Sequence, residues 1–306
     1  MIGYVVRRVA RALTTLLGTT LILFVLVRVV PADPAVSIAG PKADPETLAA
    51  IRKDLGLDDP LPVQYGRYVA NLAHGDLGRS YITGRKVGDV IAERLVATAT
   101  LGLTSLAIGF FVGLLVGIWT AARQGSRADL GVLLATLVGL SIPTFWLGNV
   151  LIYFFSYRLR LLPIGGFGGL RHLFLPAATL AIVEFFFYAR FVHTSVGGTL
   201  ASDYIRTARA KGVPPGRLYF LHALRNALIP VVTLLGLDIA ALMSGVVLTE
   251  TVFNWPGLGR LAVQAVFNLD IPLVAGTVLF SAVLVLAANL TVDLLYGVID
   301  PRVQRG

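Results

Sequence analysis

The sequence predicts an all-α membrane protein with six transmembrane helices. Of its 306 residues, 56% are hydrophobic and 14% are charged, whereas soluble domains carry roughly 25% charged residues. The apolar residues are grouped into runs long enough to cross a bilayer as helices, which takes about 20 residues. The period-two alternation of barrel strands is absent. Composition and run length therefore exclude a soluble enzyme, a disordered chain and a fibrous repeat.

Six apolar runs supply the predicted spans. The second and third contain no charged residue, whereas Glu184, Asp238 and Asp293 lie within the fourth, fifth and sixth. Arg28 stands near the outer end of the first run, where we expect its long side chain to reach the polar interface. The runs cover residues 12–30, 95–122, 130–157, 174–188, 227–248 and 272–295.

The start of the chain also has features of a signal peptide, because Arg7, Arg8 and Arg11 precede the first apolar run. No small-residue cleavage site follows that run, and it is longer than the apolar core of a usual signal peptide. An uncleaved first span is therefore the preferred interpretation.

The basic residues predict that both termini are cytoplasmic, because short cytoplasmic loops are enriched in Lys and Arg. With the N-terminus inside, thirteen of the 26 basic residues fall in inner segments and four in the two short outer loops. The segment 31–94 is too long for the rule to apply. Arg158, Arg160 and Arg171 between the third and fourth spans count against this orientation without reversing it. The net charge of +9 thus concerns topology first and does not indicate a nucleic-acid partner.

Residues 31–94 form the one sizeable aqueous segment of the predicted topology. Asp44 is expected to cap a helix that begins at Pro45 and ends near Gly56, since Asp favours the cap and Pro the first helical position. A second helix is expected over 63–72, and a third leads from Val87 into the second span. The segment is either an ordered connector or a docking surface on the outer face.

The inner loop between the fourth and fifth spans is the most heavily punctuated part of the chain. Ser202 or Asp203 can cap a short helix that Gly212 stops. The run Pro214-Pro215-Gly216 predicts a turn, after which a helix over 217–228 leads to Pro230 and the fifth span. Such a short helix fits a mechanical role, but a basic amphipathic helix lying on lipid fits the pattern as well.

The outer segment 249–270 and a glycine series complete the pattern. The outer segment is expected to insert halfway into the membrane with Trp255 at the interface. Gly109, Gly113 and Gly117 lie on one face of the second span, a spacing typical of close helix packing. We favour packing over substrate contact for these glycines.

Glu184 and Asp238 are the deepest ionisable residues, and such residues inside spans are functional candidates because exposing them to lipid is costly. Either they line a translocation path and bind cationic groups of a substrate, or they pair with polar groups of a partner subunit. Asp293 lies nearer the end of its span and is expected to anchor a helix end.

The inner loop also carries a family resemblance. Asp203-Tyr204-Ile205-Arg206-Thr207-Ala208-Arg209-Ala210-Lys211-Gly212, followed by residues 222–230, resembles the cytoplasmic coupling loop of ABC importer permeases. The closest resemblance is to the dipeptide and oligopeptide permeases (the DppB/OppB type). Further similar stretches are 75–80, 141–148, 161–166, 250–260 and 300–302. One departure is that Arg206 and Thr207 stand where the general pattern has Glu and Ala, so Arg206 does not inherit the role of that Glu.

The resemblance implies a type I ABC importer permease of the bacterial plasma (inner) membrane. Such a subunit forms half of a translocation pathway with a second, homologous permease. Two cytoplasmic ATPase subunits hold ATP and Mg, and an extracytoplasmic substrate-binding lipoprotein delivers the peptide. The implied role of residues 203–212 is to transmit ATPase closure to the spans. Glutathione, a nickel chelate or haem are alternative cargoes for the same architecture.

The chain itself offers no chemistry for an enzyme. It contains no Gly-x-x-x-x-Gly-Lys-Ser/Thr loop for ATP, no cysteine, and four histidines without ligand spacing. We therefore predict a transport subunit without cofactors of its own. A secondary transporter is disfavoured because the sequence shows no internal repeat. A membrane enzyme is disfavoured because the sequence shows no cluster of catalytic side chains. The predicted parts are 1–30 (tail and first span), 31–94 (outer subdomain), 95–298 (five-helix core with coupling loop 190–226) and 299–306 (cytoplasmic tail).

Overall fold

A computed structural model describes residues 2–29, 34–40 and 43–299. Within these ranges the regular structure is helical, apart from one antiparallel bridge between Arg79 and Lys86. The predicted all-α class is confirmed. Expectations for the 300–302 motif and the rest of the tail, and for the side chains of Arg28 and Asp293, lie outside the described residues.

The helices follow one another along the whole described chain. The outer segment and first two spans contain α1 Ile2–Val29, α2 Pro34–Ala39, α3 Pro45–Asp54, α4 Leu61–Ala73 and α5 Val87–Ala121. The middle of the chain contains α6 Arg127–Ser141, α7 Thr144–Leu151 with a π-helical continuation Ile152–Arg158, α8 Leu170–Leu200 and α9 Asp203–Ala210. The last third contains α10 Pro215–Arg217, a π-helix Leu218–Leu224, α11 Arg225–Met243, α12 Val247–Val252, α13 Leu258–Phe267 and α14 Ile271–Ile299.

Among the described residues, five helices are long and apolar enough to cross a membrane, and a sixth span results if the bent pair of α6 with α7 is counted as one. The predicted number of spans is therefore confirmed, but the third span is not the continuous helix expected over 130–157. α6 and α7 meet at an angle of 95°. The break falls where Ile142 precedes Pro143, and both residues are extended, with ψ of 121° and 131°. The ring of a proline disfavours the α conformation for the preceding residue.

Two other local expectations are wrong. The helix expected over 217–228 begins earlier, inside the run that was expected to form a turn, because Pro215 starts α10. Helical structure then continues to Met243 with Pro230 inside it. Proline suits the first turn of a helix, where its missing N–H is not needed. Trp255 is not interfacial, since only 1% of it is exposed and the ring edge of Phe167 packs on it at 5.0 Å.

The chain divides into two compact units, which are described separately. The first comprises the described residues among 1–98, 243–247 and 256–306, and the second those of 99–242 and 248–255. This division was not predicted, and the four sequence-based parts stay predictions. In the first unit, an apolar core joins the start of α5 to α13 and α14. Its buried members are Val87, Val90, Ile91, Leu258, Leu261, Ala265 and Leu273.

The outer helices of the first unit form as their sequence predicts. The Asp44 side chain accepts a hydrogen bond from the Thr47 N–H at 2.8 Å and so caps α3. The Thr47 amide and hydroxyl hold the pKa of the Asp44 carboxyl below its ordinary value. Gly56 follows α3 with a φ of +61°, which glycine adopts without strain. On α4, the Tyr65 hydroxyl contacts Thr20 of α1 at 3.0 Å.

Asp270 ties the loop before α5 to the start of α14. It is 2% exposed and accepts hydrogen bonds from the Ser80 hydroxyl at 2.5 Å and the Tyr81 N–H at 3.1 Å. A buried carboxylate of this kind is costly unless it is hydrogen-bonded, so the two donors and Asp270 stabilise one another.

Replacing Asp270 should therefore destabilise the first unit. Asp270→Ala removes the acceptor of the buried Ser80 hydroxyl and of the half-buried Tyr81 N–H, and we expect a loss of about 2 to 4 kcal/mol of unfolding free energy, seen as a lower melting temperature in detergent. Asp58→Ala, which removes an exposed carboxylate from the same outer segment, is the matched control. Equal melting temperatures for the two variants would contradict this assignment.

Candidate functional site

The predicted coupling segment forms a short, sharply bounded helix. α9 begins at Asp203 after an extended Ser202 and ends before Gly212, whose φ is +76°. Ile205 is fully buried and packs with Leu218 and Ala223 of the following π-helix. The helix is therefore not a free amphipathic segment, because its apolar side rests on its own chain.

The ten predicted coupling residues divide into an inward and an outward set. Ile205 and Ala208 pack into the small core of this loop, together with Leu200 and Val213. Small size at Ala208 therefore serves internal packing. The exposed set consists of Asp203, Tyr204, Arg206, Thr207, Arg209, Ala210, Lys211 and Gly212. Arg206 lies 3.4 Å from Asp203, with both side chains largely exposed, so this ion pair contributes little stability.

Polar contacts connect α9 to the helix that follows it. The Tyr204 hydroxyl donates to the backbone carbonyl of His222 at 3.3 Å and accepts from the side-chain amide of Asn226 at 3.0 Å. Asn226 also donates to His222 O at 3.2 Å. Asn226 was not singled out from the sequence, since an Asn near a helix start has many ordinary uses.

Two further hydrogen bonds carry this connection to other spans. The Tyr219 hydroxyl donates to Ile118 O near the C-terminal end of α5, at 2.7 Å. The Ser195 hydroxyl of α8 donates to Ala227 O of α11, also at 2.7 Å. Through these contacts, the coupling loop is fixed to three spanning helices. A single Tyr and a single Ser in apolar sequence give no signal of such long-range contacts.

The two intramembrane carboxylates lie close together in the second unit, but their surroundings differ. Asp238 accepts a hydrogen bond from the Tyr188 hydroxyl. Glu184, on the same helix as Tyr188, interacts electrostatically with Asp238, and no donor among the described residues is hydrogen-bonded to it. Both acidic residues are half-buried. Tyr188 was missed in the sequence, although it stands four residues after Glu184 on one face of α8.

The ring of Tyr188 is held in place by α5. It is fully buried and meets the Phe110 ring edge to face at 5.0 Å. A Cβ added at Gly109 would lie 2.5 Å from Glu184 Cβ, and one at Gly113 would lie 2.8 Å from Tyr188 Cβ. At Gly117 the added atom would lie 2.7 Å from Ala189 O. Real Cβ atoms do not approach so closely, so α5 and α8 meet here through glycine.

Metal chemistry has no evident place in this arrangement. Among the residues that the structure describes, no group of three or more His, Asp or Glu side chains is placed to hold a metal ion. His193 pairs with Asp129 at 2.8 Å and links α8 to α6. That contact uses one histidine and one carboxylate, which suits helix packing.

Comparison with solved structures finds the same fold in a known transporter. A methionine ABC transporter, MetNI, in inward-facing conformations superposes with a TM-score of 0.55 at 18% sequence identity. The match covers 69% of this chain and 96% of that chain. At this identity the likeness shows a shared fold.

Sequence comparison then gives the family. Residues 113–305 match the model described as a binding-protein-dependent transport system inner membrane component, and residues 1–102 match the N-terminal model of such components. A putative peptide transport system permease protein of Brucella suis is 42% identical, and the match covers 99% of both chains. A glutathione transport system permease protein of Salmonella paratyphi A is 41% identical with the same coverage. The chain belongs to this family of inner membrane components, and the resemblance stated above is confirmed.

The contact between α5 and α8 yields a test by overpacking. Gly113→Ala places a methyl group 2.8 Å from Tyr188 Cβ and 2.9 Å from Phe185 O, and we expect it to cost about 1 to 3 kcal/mol. Gly131→Ala on α6 faces open space and should be neutral or stabilising. Thermal melts of both variants in detergent provide the measurement, and a Gly113→Ala variant as stable as Gly131→Ala would argue against close packing.

Proposed function

We propose that this chain is a membrane-spanning subunit of an ATP-driven importer of dipeptides and oligopeptides, in which it forms half of the translocation pathway. The observation that carries the proposal is α9, a short helix with an exposed polar face, fixed through its buried face and hydrogen bonds to three spans. The names of full-length relatives at about 40% identity support peptides as the cargo class. Glutathione is the second candidate, supported by the relative from Salmonella.

The remaining subunits of the proposed importer are separate chains. A second, homologous permease completes the pathway, two cytoplasmic ATPase subunits bind ATP and Mg, and an extracytoplasmic lipoprotein captures the substrate. The chain then lies in the bacterial plasma (inner) membrane with both termini in the cytoplasm. Family membership supports this arrangement, as does the positive charge of the predicted inner segments.

The exposed face of α9 is the proposed contact with an ATPase subunit. Arg206, Arg209 and Lys211 give it positive charge, which favours an acidic cleft, while Ala210 and Gly212 allow close approach. Because Ile205 is locked into the loop core, a push on α9 moves the π-helix with it. Tyr219 and Ser195 then pass the displacement to α5 and α8, as expected for packed elements that move as units.

Glu184 and Asp238 are the proposed cation-binding groups of the pathway. The N-terminal ammonium of a peptide, or a basic side chain, is the complementary group. No donor among the described residues is hydrogen-bonded to the Glu184 carboxylate, and Tyr188 fixes the orientation of the Asp238 carboxylate. The alternative, pairing of Glu184 with a partner subunit, predicts a loss of assembly when Glu184 is replaced.

Purification through this chain tests the assembly. We expect a second permease and two ATPase copies to co-purify, and the complex in proteoliposomes to take up peptide only with ATP inside and binding protein outside. Uptake by the isolated chain without ATP would overturn the proposal.

The coupling role is tested at an exposed position of α9. Ala210→Trp adds bulk where the structure leaves room, so the chain should fold and assemble while peptide uptake per ATP hydrolysed falls at least about tenfold, the equivalent of 1.4 kcal/mol. Ala122→Trp, at an exposed alanine just beyond the inner end of α5, is the matched control. If Ala210→Trp transports as the control does, α9 is not the docking helix.

The cation site is tested by neutral replacements. Glu184→Gln and Asp238→Asn each remove a charge-assisted contact of about 1.5 to 3 kcal/mol, so uptake of free peptides should fall by roughly tenfold to a hundredfold. Uptake of N-acetylated peptides without basic side chains should change little in these variants. Tyr188→Phe should lower the uptake of free peptides by an intermediate factor. Equal losses for free and acetylated peptides would contradict ammonium recognition.

A further inference from the structure

The loop from residue 157 to residue 171 exposes a patch of large apolar side chains. It begins with Tyr157 and Arg158, the last two residues of the π-helix, and has no helix between them and Leu170, where α8 begins. Soluble monomers rarely expose apolar patches of this extent without a partner. The exposed members, between 55% and 83% accessible, are Tyr157, Leu159, Leu161, Ile164, Phe167 and Leu170.

Three arginines share this loop with the apolar patch. Arg158, Arg160 and Arg171 are exposed, and residues 152–171 contain no Asp or Glu. In the described part of the chain none of the three forms an ion pair. The Arg158 Nε donates to the Tyr153 hydroxyl at 3.0 Å, and Arg171 donates to Leu161 O at 2.8 Å. A guanidinium has five donors, so each arginine keeps donors for another ligand.

Hydrogen bonds and a ring contact fix one side of this loop to the residues packed against it. Gly166 N donates to Phe253 O at 2.8 Å, and the Phe167 ring contacts buried Trp255. The Ser156 hydroxyl donates to Pro163 O at 3.2 Å. Arg160 has a φ of +53°, which is uncommon outside glycine. These contacts fix one side of the loop, so the other side cannot collapse onto itself to hide its apolar groups.

We infer that the loop 157–171 lies in the headgroup layer of the adjacent membrane leaflet, where its arginines bind phospholipid phosphates. The loop follows the bent pair of α6 and α7, counted above as the third span, and precedes the spanning helix α8, so we place its start where hydrocarbon meets headgroups. Tyr153 and Tyr157 stack at 5.8 Å there, and tyrosine is enriched at this interface. The apolar side chains enter the acyl region, and the guanidinium groups bind phosphate oxygens, often through paired hydrogen bonds. Unpaired positive charge complements an anionic lipid surface.

Depth-dependent fluorescence quenching tests this inference directly, since the chain has no native cysteine. Ile164→Cys is labelled on this chain with an environment-sensitive fluorophore, and the transporter purified through the chain is reconstituted in phosphatidylcholine vesicles with or without phosphatidylglycerol. Nitroxide lipids labelled near the headgroup should quench the probe strongly. Val63→Cys on α4, which is 50% exposed in the outer segment, is the control and should be quenched by aqueous iodide instead.

The arginines are tested by charge removal. Arg160→Gln, and the triple variant with Arg158→Gln and Arg171→Gln added, should lower the preference for nitroxide phosphatidylglycerol over nitroxide phosphatidylcholine, by up to about fivefold per arginine. Arg160→Gln alone removes none of the hydrogen bonds above, so its result stands even if the triple variant misfolds. Iodide quenching at position 164 as strong as at 63 would overturn the inference. A probe at position 164 that is shielded from iodide but not quenched by nitroxide lipids would also overturn it, and would identify a protein partner at this patch. An unchanged lipid preference in Arg160→Gln would overturn it as well.

Discussion

Close contact between α5 and α8 is the constraint on which the second unit depends. Gly109, Gly113 and Gly117 bring the two backbones together, because any larger residue would meet α8 within about 3 Å. In a bilayer, helices gain little from hiding apolar surface and associate through van der Waals contact and hydrogen bonds. The glycine face thus supplies the packing, and Tyr188 is buried there with its ring against Phe110. From there its hydroxyl reaches Asp238, so the placement of a polar pair depends on three residues without side chains.

In the predicted coupling loop, too, a few residues hold an element in place. α9 is too short to be stable alone, since isolated helices need about 12 to 15 residues. It persists because Ile205 is buried and because Tyr204 and Asn226 connect it to the next helix. The burial and hydrogen bonds that stabilise the helix also attach it rigidly to the next helix. Its polar side chains remain exposed, where a partner can bind them. The inward set therefore stabilises the loop, and in the proposed function it also transmits movement, while the outward set binds the ATPase.

The sequence predicts these features well where a local rule applies. The Asp44 cap, the stop at Gly212 and the glycine spacing each follow from chemistry within one turn of helix. Proline shows the limit of such rules. Pro143, Pro176 and Pro230 all lie in apolar runs, yet only Pro143 breaks its run, while helices continue through the other two. Neighbouring elements decide between a break and a tolerated proline, and a single sequence does not show its neighbours. The burial of Trp255 and the Tyr188–Asp238 pair depend likewise on residues far away in the chain.

The arginines beside the third span illustrate how one residue type serves two purposes. Counted as charges, Arg158, Arg160 and Arg171 weaken the case for cytoplasmic termini. Their setting differs from that of the inner arginines, however, because they stand among exposed apolar side chains and one of them lies over the Tyr153 ring. The positive-inside bias reflects the difficulty of moving charge across the membrane, whereas a short loop at the interface needs groups that bind headgroups. Basic residues that anchor a loop in the lipid interface therefore do not compete with those that set topology, and the orientation predicted from the remaining loops is retained.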